Sequence, residues 1–201
     1  MSKIKLTKAE LKAQREALHR YQRFLPTLQL KKEQLQGEVR RVQAELNRVN
    51  RDQSELWSEI SAWVALFSEH AGLEDLIQIQ AIRTRQTSVA GATVRKLDSL
   101  EFASIVPDFS ATPPWLDAGL ERSKRLIHLR VRQKLLQEEL DILTRELRTA
   151  TQRVNLFEKI KIPGCRENIR IIRIALGEEQ TAAIARAKMA KSKAQEWSTG
   201  A

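Results

Sequence analysis

The sequence has few of the residues that make turns, disulfides and aromatic cores. Its 201 residues include only 7 glycines and 5 prolines, and aromatic residues make up 5%. Average usage predicts about twice as many glycines. Because sandwiches and α/β barrels need many turns, this composition argues against both folds. The single cysteine, Cys165, excludes an internal disulfide framework and fits a reducing compartment.

Long apolar runs and catalytic motifs are also missing from the sequence. The longest apolar run is AWVALF at residues 62–67, which is far short of the roughly 20 residues of a membrane-spanning helix. No apolar block follows the basic start MSKIKLTKAE, so we expect no secretory signal. The glycines do not cluster into a phosphate-binding loop, and no HExxH, GxSxG or CxxC motif occurs. We therefore expect no catalytic residue, no cofactor and no metal site.

Positive charge is concentrated at the two ends of the chain. Residues 1–50 carry a net charge of +7 and residues 151–201 carry +5, whereas 51–100 carry −2 and 101–150 carry zero. Three interpretations of the basic ends stay open: a solvated coiled-coil face, docking into an acidic protein socket, and nucleic-acid binding. Against nucleic acid, aromatic residues are not interleaved with the basic ones.

Two heptad repeats of apolar residues indicate two long helices. The first runs from Leu11 to Phe67 and keeps its register across Pro26, which predicts a helix over 1–72 that is kinked rather than split. The second runs from Leu126 to Phe157. Pro163-Gly164 breaks this repeat, and a shifted repeat resumes with Ile162 and Cys165. It predicts a helix over 115–196, followed by a disordered tail over 197–201. The predicted seam between the helices comprises Leu28, Leu35, Val39, Val42, Leu46, Val49, Leu56, Ile60, Leu136, Leu140, Leu143, Leu147, Val154 and Phe157.

Two heptad stripes in one chain predict an antiparallel helix pair. The numbers of facing residues in such a pair add up to a constant. Placing the helix breaker Pro26 opposite the helix breaker Pro163 predicts a constant of 189.

The central segment, residues 73–114, has a different pattern. Threonine and valine are frequent from Thr84 to Val94, and Gly91 lies within an Ala-Gly-Ala sequence, which predicts a short β-hairpin. A two-stranded ribbon is marginally stable alone, so it must pack on the coiled coil or on a partner. The predicted fold class is mainly α: a long antiparallel two-helix coiled coil formed by the N- and C-terminal helices, with a short β-hairpin in the central segment.

The few side chains that could carry chemistry have simpler interpretations. Cys165 falls on the apolar stripe and is expected to be a small core residue. Glu138 and Glu139 are adjacent on a helix, so they point to different faces and are interpreted as part of a solvated surface.

Three stretches of sequence carry a family resemblance. They are KLTK at 5–8 with LPTLQLKKEQL at 25–35, VAGATV at 89–94 and, most specific, RVNLFEKIKIPGCRENIRIIRIALGEEQTAAIARAKMAKSK at 153–193. In order, spacing and architecture they resemble the D subunit of V/A-type ATPases, which is the central rotor shaft, and particularly its bacterial members.

The resemblance implies a non-catalytic central-stalk rotor protein. Such a protein transmits torque between the ATP-handling hexamer of A and B subunits and the ion-translocating ring in the membrane. The implied partners are the A and B subunits, the small F subunit and a funnel-shaped subunit above the ring, with no nucleic acid and no direct membrane insertion. The implied location is cytoplasmic, peripheral on the cytoplasmic face of the membrane. A free-standing coiled-coil adaptor or chaperone-like protein, and a nucleic-acid-associated coiled coil, are the alternatives.

The resemblance and the charge pattern together suggest contact residues. Exposed basic residues near the two chain ends are expected to face the A–B head: Lys5, Lys8, Arg166, Arg170, Arg173, Arg186 and Lys188. The F subunit is expected on the flank of the second helix, around Arg145, Arg148 and Gln152.

Overall fold

The described part of the chain is mainly helical, with a β-hairpin between the N- and C-terminal helices. The computed structural model describes residues 4–61, 76–103 and 115–199, with side chains as far as residue 195. Helix α1 is Lys8–Ser61, strand β1 is Ile79–Val89 and strand β2 is Ala92–Phe102. Helix α2 is Leu116–Asn155, a π-helical segment follows at Leu156–Lys161, and helix α3 is Ile162–Thr199. The predicted fold class is confirmed, while the predicted end of the first helix at residue 72 lies outside the described residues.

Helix α1 begins at a capped end and continues through its proline. The backbone N–H of Glu10 donates a hydrogen bond to Thr7 Oγ1 at 3.3 Å, which satisfies one of the free donors of the first turn. Pro26 lies inside the helix without ending it. The proline lacks the N–H that would bond to the carbonyl of Gln22. Because this turn is exposed, that carbonyl can bond to water instead.

Pro163 and Gly164, where the heptad repeat breaks, do not interrupt the helix. Both residues lie inside α3, and the irregularity comes just before them, in the π-helical segment Leu156–Lys161. The backbone N–H of Ile162 donates to the carbonyl of Phe157, five residues earlier. A proline clashes with the carbonyl four residues before it, and the wide π turn relieves that crowding without interrupting the helix.

The π-helical segment also explains the shift in the heptad repeat. Continuing the repeat of α2 would place residues 161 and 164 in the seam, but Ile162 and Cys165 are buried instead, followed by Ile169 and Ile172. A π turn accommodates one extra residue relative to an α-helix. The apolar stripe therefore resumes one residue later.

The chain divides into two compact units. The terminal unit contains residues 1–30 and 150–201, and the hairpin unit contains residues 31–149. In the terminal unit, the rings of Tyr21 and Phe157 lie 5.0 Å apart, and Asn168 Nδ2 donates to Gln14 Oε1 at 3.3 Å. These pairs show that the start of α1 packs antiparallel to the π segment and α3.

The hairpin unit pairs its helices in the same antiparallel sense. Arg132 Nη2 donates to Glu45 Oε1 at 2.6 Å, and Gln133 Nε2 donates to Asn50 Oδ1 at 2.8 Å. Between these pairs the buried side chains are mainly leucine and valine, as a coiled-coil seam requires.

The predicted sum of 189 for the numbers of facing residues is wrong. Facing residues add up to 178 for Tyr21 with Phe157 and to 182 for Gln14 with Asn168. The register is set by packing along the seam rather than by the prolines, because both prolines are accommodated within helices.

The hairpin is closed by a two-residue turn at Ala90-Gly91. Val89 pairs with Ala92, and the two turn residues have φ values of 49° and 80°. Two consecutive positive φ values are the signature of the turn that matches the twist of hairpin strands. Gly91 adopts this conformation freely, whereas Ala90 adopts it at a cost. The predicted hairpin is therefore confirmed, with strands longer than the stretch that signalled it.

Candidate functional surfaces

Strand β2 is held against helix α2 by two ion pairs within the hairpin unit. Arg95 Nη2 donates to Glu138 Oε2 at 2.8 Å, and Lys96 Nζ lies 3.9 Å from Glu139 Oε1. On the same strand, Ala92 and Val94 are buried and alternate with exposed neighbours. The hairpin thus packs on the coiled coil, which supplies the support that an isolated ribbon lacks.

A cavity of about 260 Å³ lies beside this junction, and it contains the one buried charged residue found among the described residues. It is lined by β2 residues, by His128, Arg132 and Glu139 of α2, and by Glu45 of α1. Glu139 is only 3% exposed, and its Oε1 accepts no hydrogen bond. Desolvation raises the pKa of Glu139, and the charges of Lys96 and Arg41 only partly oppose this effect.

The interpretation of Glu138 and Glu139 as a solvated pair is wrong for Glu139. Glu139 directly precedes the seam residue Leu140, so it lies beside the helix–helix contact rather than on the outer face. The hairpin then covers it. The heptad position could have placed Glu139 next to the seam, but nothing in the local sequence signals that a strand lies over it.

The basic residues proposed to contact the head are all on the surface. Arg170 donates through Nε and Nη2 to both carboxylate oxygens of Glu167, at 2.9 and 2.7 Å. This hydrogen bonding lowers the pKa of Glu167. The exposed set comprises Lys5, Lys8, Arg166, Arg170, Arg173, Arg186 and Lys188.

The last part of α3 is exposed on all sides. Every side chain from Gly177 to Gln195 is exposed, although the backbone stays helical to Thr199. The pairing in the terminal unit places Lys8, the first residue of α1, level with about residue 172. This end of α3 therefore extends beyond the helix against which α3 packs.

The other predicted contact residues divide into surface and interior. Arg145, Arg148 and Gln152 are exposed, and Arg145 Nε donates to the carbonyl of Asp141 one turn earlier. The fourteen predicted seam residues are all buried or half-buried. The half-buried ones are Leu28, Val39, Leu140, Leu147 and Phe157.

Cys165 is the free thiol of the described residues. Cys165 is buried in the terminal unit, and burial raises the pKa of its thiol, which keeps the sulfur protonated and unreactive at neutral pH. Within residues 4–61, 76–103 and 115–199, no cluster of three metal-ligating side chains is found. Over the same ranges, the helices lack an apolar stretch of the length that a bilayer span requires.

The order of elements and the specific C-terminal sequence can be compared with known proteins. The model of the family described as the ATP synthase D subunit matches residues 10–192. This chain belongs to the family of ATP synthase D subunits. The match includes nearly all of α1, the hairpin, α2, the π-helical segment and most of α3.

Relatives of this chain in the D-subunit family align with it along most of their length. A Borreliella burgdorferi protein, named as the D subunit of a V-type ATP synthase, is 44% identical over 192 residues, which cover 96% of this chain and 95% of the relative. Proteins of the same name from Chlamydia pneumoniae and Chlamydia muridarum are 33% and 32% identical. These alignments cover 94% and 97% of this chain, and 92% and 98% of the respective relatives.

Proposed function

We propose that this chain is the non-catalytic central-stalk rotor protein of a V-type ATP synthase. In this role it transmits torque between an ATP-handling hexamer of A and B subunits and an ion-translocating ring in the membrane. Membership of the D-subunit family supports the proposal, together with the names of the full-length relatives.

The construction of the helices suits the transmission of torque. Helix α1 has 54 residues, and the helical path from Leu116 to Thr199 continues through the π-helical segment without a loop. Each buried leucine or isoleucine of the seam contributes roughly 1.5–3 kcal/mol. A packed and glycine-poor helix pair resists twisting better than helices joined by loops.

One structural observation carries the proposed contact with the head: the exposed end of α3. Residues 177–195 include Arg186, Lys188, Lys191 and Lys193 against two glutamates, and all of these side chains are exposed. Alanine-rich composition supports the helix in the absence of a packing partner. Such a helix end suits insertion into a socket supplied by other subunits.

The remaining assignments follow from the family and are proposals of the same kind. The head contacts comprise Lys5, Lys8, Arg166, Arg170, Arg173, Arg186 and Lys188, while Arg145, Arg148 and Gln152 contact the F subunit. A funnel-shaped subunit connects this chain to the membrane ring. The chain is peripheral on the cytoplasmic face and acts by contact free energies that differ between the states of the head, so it needs no cofactor.

Co-purification tests the rotor assignment. The full chain is co-expressed with the A, B and F subunits of its source and examined by size-exclusion chromatography and ATPase assay. We expect one complex whose ATPase activity changes when this chain is included. Elution of this chain alone as a stable helical protein, with unchanged ATPase activity, would contradict the proposal and favour a free-standing adaptor.

A further inference from the structure

Few buried side chains attach the hairpin to the helices of the hairpin unit. Both strands are described along their whole length, and their only buried residues are Ala92 and Val94. The ion pair of Arg95 with Glu138 is partly open to solvent, and such pairs contribute little stability. A two-stranded ribbon is marginally stable on its own, so an unfavourable group beneath the hairpin can shift the balance between its attached and detached forms.

The carboxyl group of Glu139 lies beneath β2 and is such an unfavourable group. The side chain is buried, and its Oε1 accepts no hydrogen bond from the described residues. Lys96 Nζ lies 3.9 Å from this oxygen, which is beyond hydrogen-bond distance. Because Lys96 belongs to β2 and Glu139 to α2, detachment of the hairpin would separate the two side chains and expose the carboxyl group to water.

Charged groups from three elements surround the carboxyl group of Glu139. Desolvation has the largest effect and raises the pKa of Glu139. Lys96 of β2 and Arg41 of α1 oppose this effect, whereas Glu38 and Glu45 of α1 add to it. The other charged or titratable side chains at the cavity or in its ion pairs are Arg95, Asp98, His128, Arg132 and Glu138. A proton therefore neutralises the buried carboxylate more effectively than the neighbouring cations do.

We propose that the hairpin is a pH-dependent switch, which packs on the coiled coil while Glu139 is protonated and detaches more readily once Glu139 is ionised. The attached form buries the carboxyl group, whereas the detached form lets water hydrate the carboxylate. The proton stabilises the attached form fully below the ordinary glutamate pKa of about 4.3, and this stability is lost as the pH rises through the raised pKa. The inference concerns the chain alone and does not rest on the proposed rotor function.

Hydrogen exchange of the full chain tests the switch. Backbone amides of β1 and β2 exchange when the hairpin detaches and its ladder of hydrogen bonds opens. The exchange rates of wild type and Glu139→Gln are compared at each pH between 5 and 8, so that the intrinsic pH dependence of exchange cancels in their ratio. We expect the wild type to exchange about fivefold faster than the variant at pH 8, and the ratio to fall towards one as the pH approaches 5.

Two further variants identify the group that titrates. Glu138→Gln removes the neighbouring carboxylate of α2, which is partly exposed, and should change the exchange rates by the same factor at every pH. His128→Asn removes the histidine that lines the cavity. The ratio of its exchange rates to those of Glu139→Gln should vary with pH as the wild-type ratio does.

A distance measurement reports detachment without hydrogen exchange. Ser88, near the hairpin tip, and Gln34 of α1 line one groove, and both are exposed. Spin labels are attached to Ser88→Cys and Gln34→Cys after Cys165→Ala removes the native thiol. We expect the population with a short distance between the labels to fall as the pH rises. Adding Glu139→Gln should make this population constant, and the helical circular dichroism should not change, because the coiled coil stays folded.

Three results would overturn the switch. The first is a ratio of exchange rates between wild type and Glu139→Gln that is independent of pH, the second is a ratio that rises towards low pH, and the third is a label distance that is independent of pH in the chain with Glu139. Loss of the pH dependence in His128→Asn would make the histidine the titrating group and overturn the assignment to Glu139. The labelled chain with Glu139 decides the question even if Glu139→Gln fails to fold.

Discussion

At the scale of single residues, Glu139 is the side chain whose environment has the clearest energetic consequence. It is buried beneath the hairpin, and one of its carboxylate oxygens has no hydrogen-bond partner. A charged group in this position costs free energy, because the distant Lys96 ammonium replaces only part of the lost hydration.

Replacing Glu139 by glutamine should stabilise the protein at neutral pH. We expect the free energy of unfolding to increase by about 1 kcal/mol, because the amide removes the buried charge and keeps the shape. Chemical denaturation at pH 7 measures the change. The matched control is Glu138→Gln, which removes a partly exposed pair with Arg95 and should cost less than about 1 kcal/mol. If Glu139→Gln instead lowers the free energy of unfolding, the ion pair of Glu139 with Lys96 is net favourable. That result would contradict the prediction.

The advantage of the glutamine variant should depend on pH. The pKa of Glu139 is raised in the folded protein, so folding favours its protonated form. The stability associated with that proton is fully present below the unfolded pKa and is lost as the pH rises through the folded pKa. The difference in unfolding free energy between wild type and Glu139→Gln should therefore shrink as the pH falls from 7 towards about 4.3. A difference that grows towards low pH would contradict the assigned direction.

At the scale of secondary-structure elements, the π-helical segment corrects the phase of the apolar stripe. Without the extra residue, the positions after Phe157 would turn the buried Ile162, Cys165, Ile169 and Ile172 away from α1. The extra residue of the π turn is therefore the structural cause of the shift in the sequence repeat.

Removing one residue from the π segment should be tolerated where the same change elsewhere is not. Deletion of Ile160, combined with Pro163→Ala to remove the proline clash, makes the heptad repeat continuous. We expect this variant to keep its helical circular dichroism and to unfold at the same or a higher denaturant concentration. Deletion of Thr144, an exposed residue of α2, should lower stability by several kcal/mol because it shifts the seam residues on one side. Equal loss in both variants would refute the role of the π segment.

At the scale of the whole molecule, the exposed positive charge near the chain ends allows the proposed head contact to be tested. Changing Arg166, Arg170 and Arg173 to glutamate reverses a charged stripe that is exposed throughout. We expect weaker assembly with the A–B ring in size exclusion and an unchanged melting temperature, because exposed charges contribute little to folding. Reversal of Arg145 and Arg148 is the control and should leave ring binding intact. Normal assembly of the triple variant would remove these arginines from the proposed head contact.

The sequence predicted the features that depend on local patterns. The helix pair followed from heptad spacing, and the hairpin followed from Ala90-Gly91 between strand-forming residues, because both signals lie within a few turns of the chain. The register was not predictable in this way, since it depends on how side chains such as Tyr21 and Phe157 fit across two distant segments. The burial of Glu139 was not predictable for the same reason, because it depends on a strand some forty residues earlier.

We expect the wide turn at Leu156–Lys161 to give the C-terminal helical path an uneven elasticity. Its hydrogen bonds span five residues instead of four, a spacing that helices adopt only rarely. Under an applied twist, deformation concentrates where the restoring force is smallest, so elastic energy should accumulate first in this turn. A soft turn beside stiff, packed helices would let one end of the chain lag behind the other and then recover, which smooths the delivery of a stepwise load.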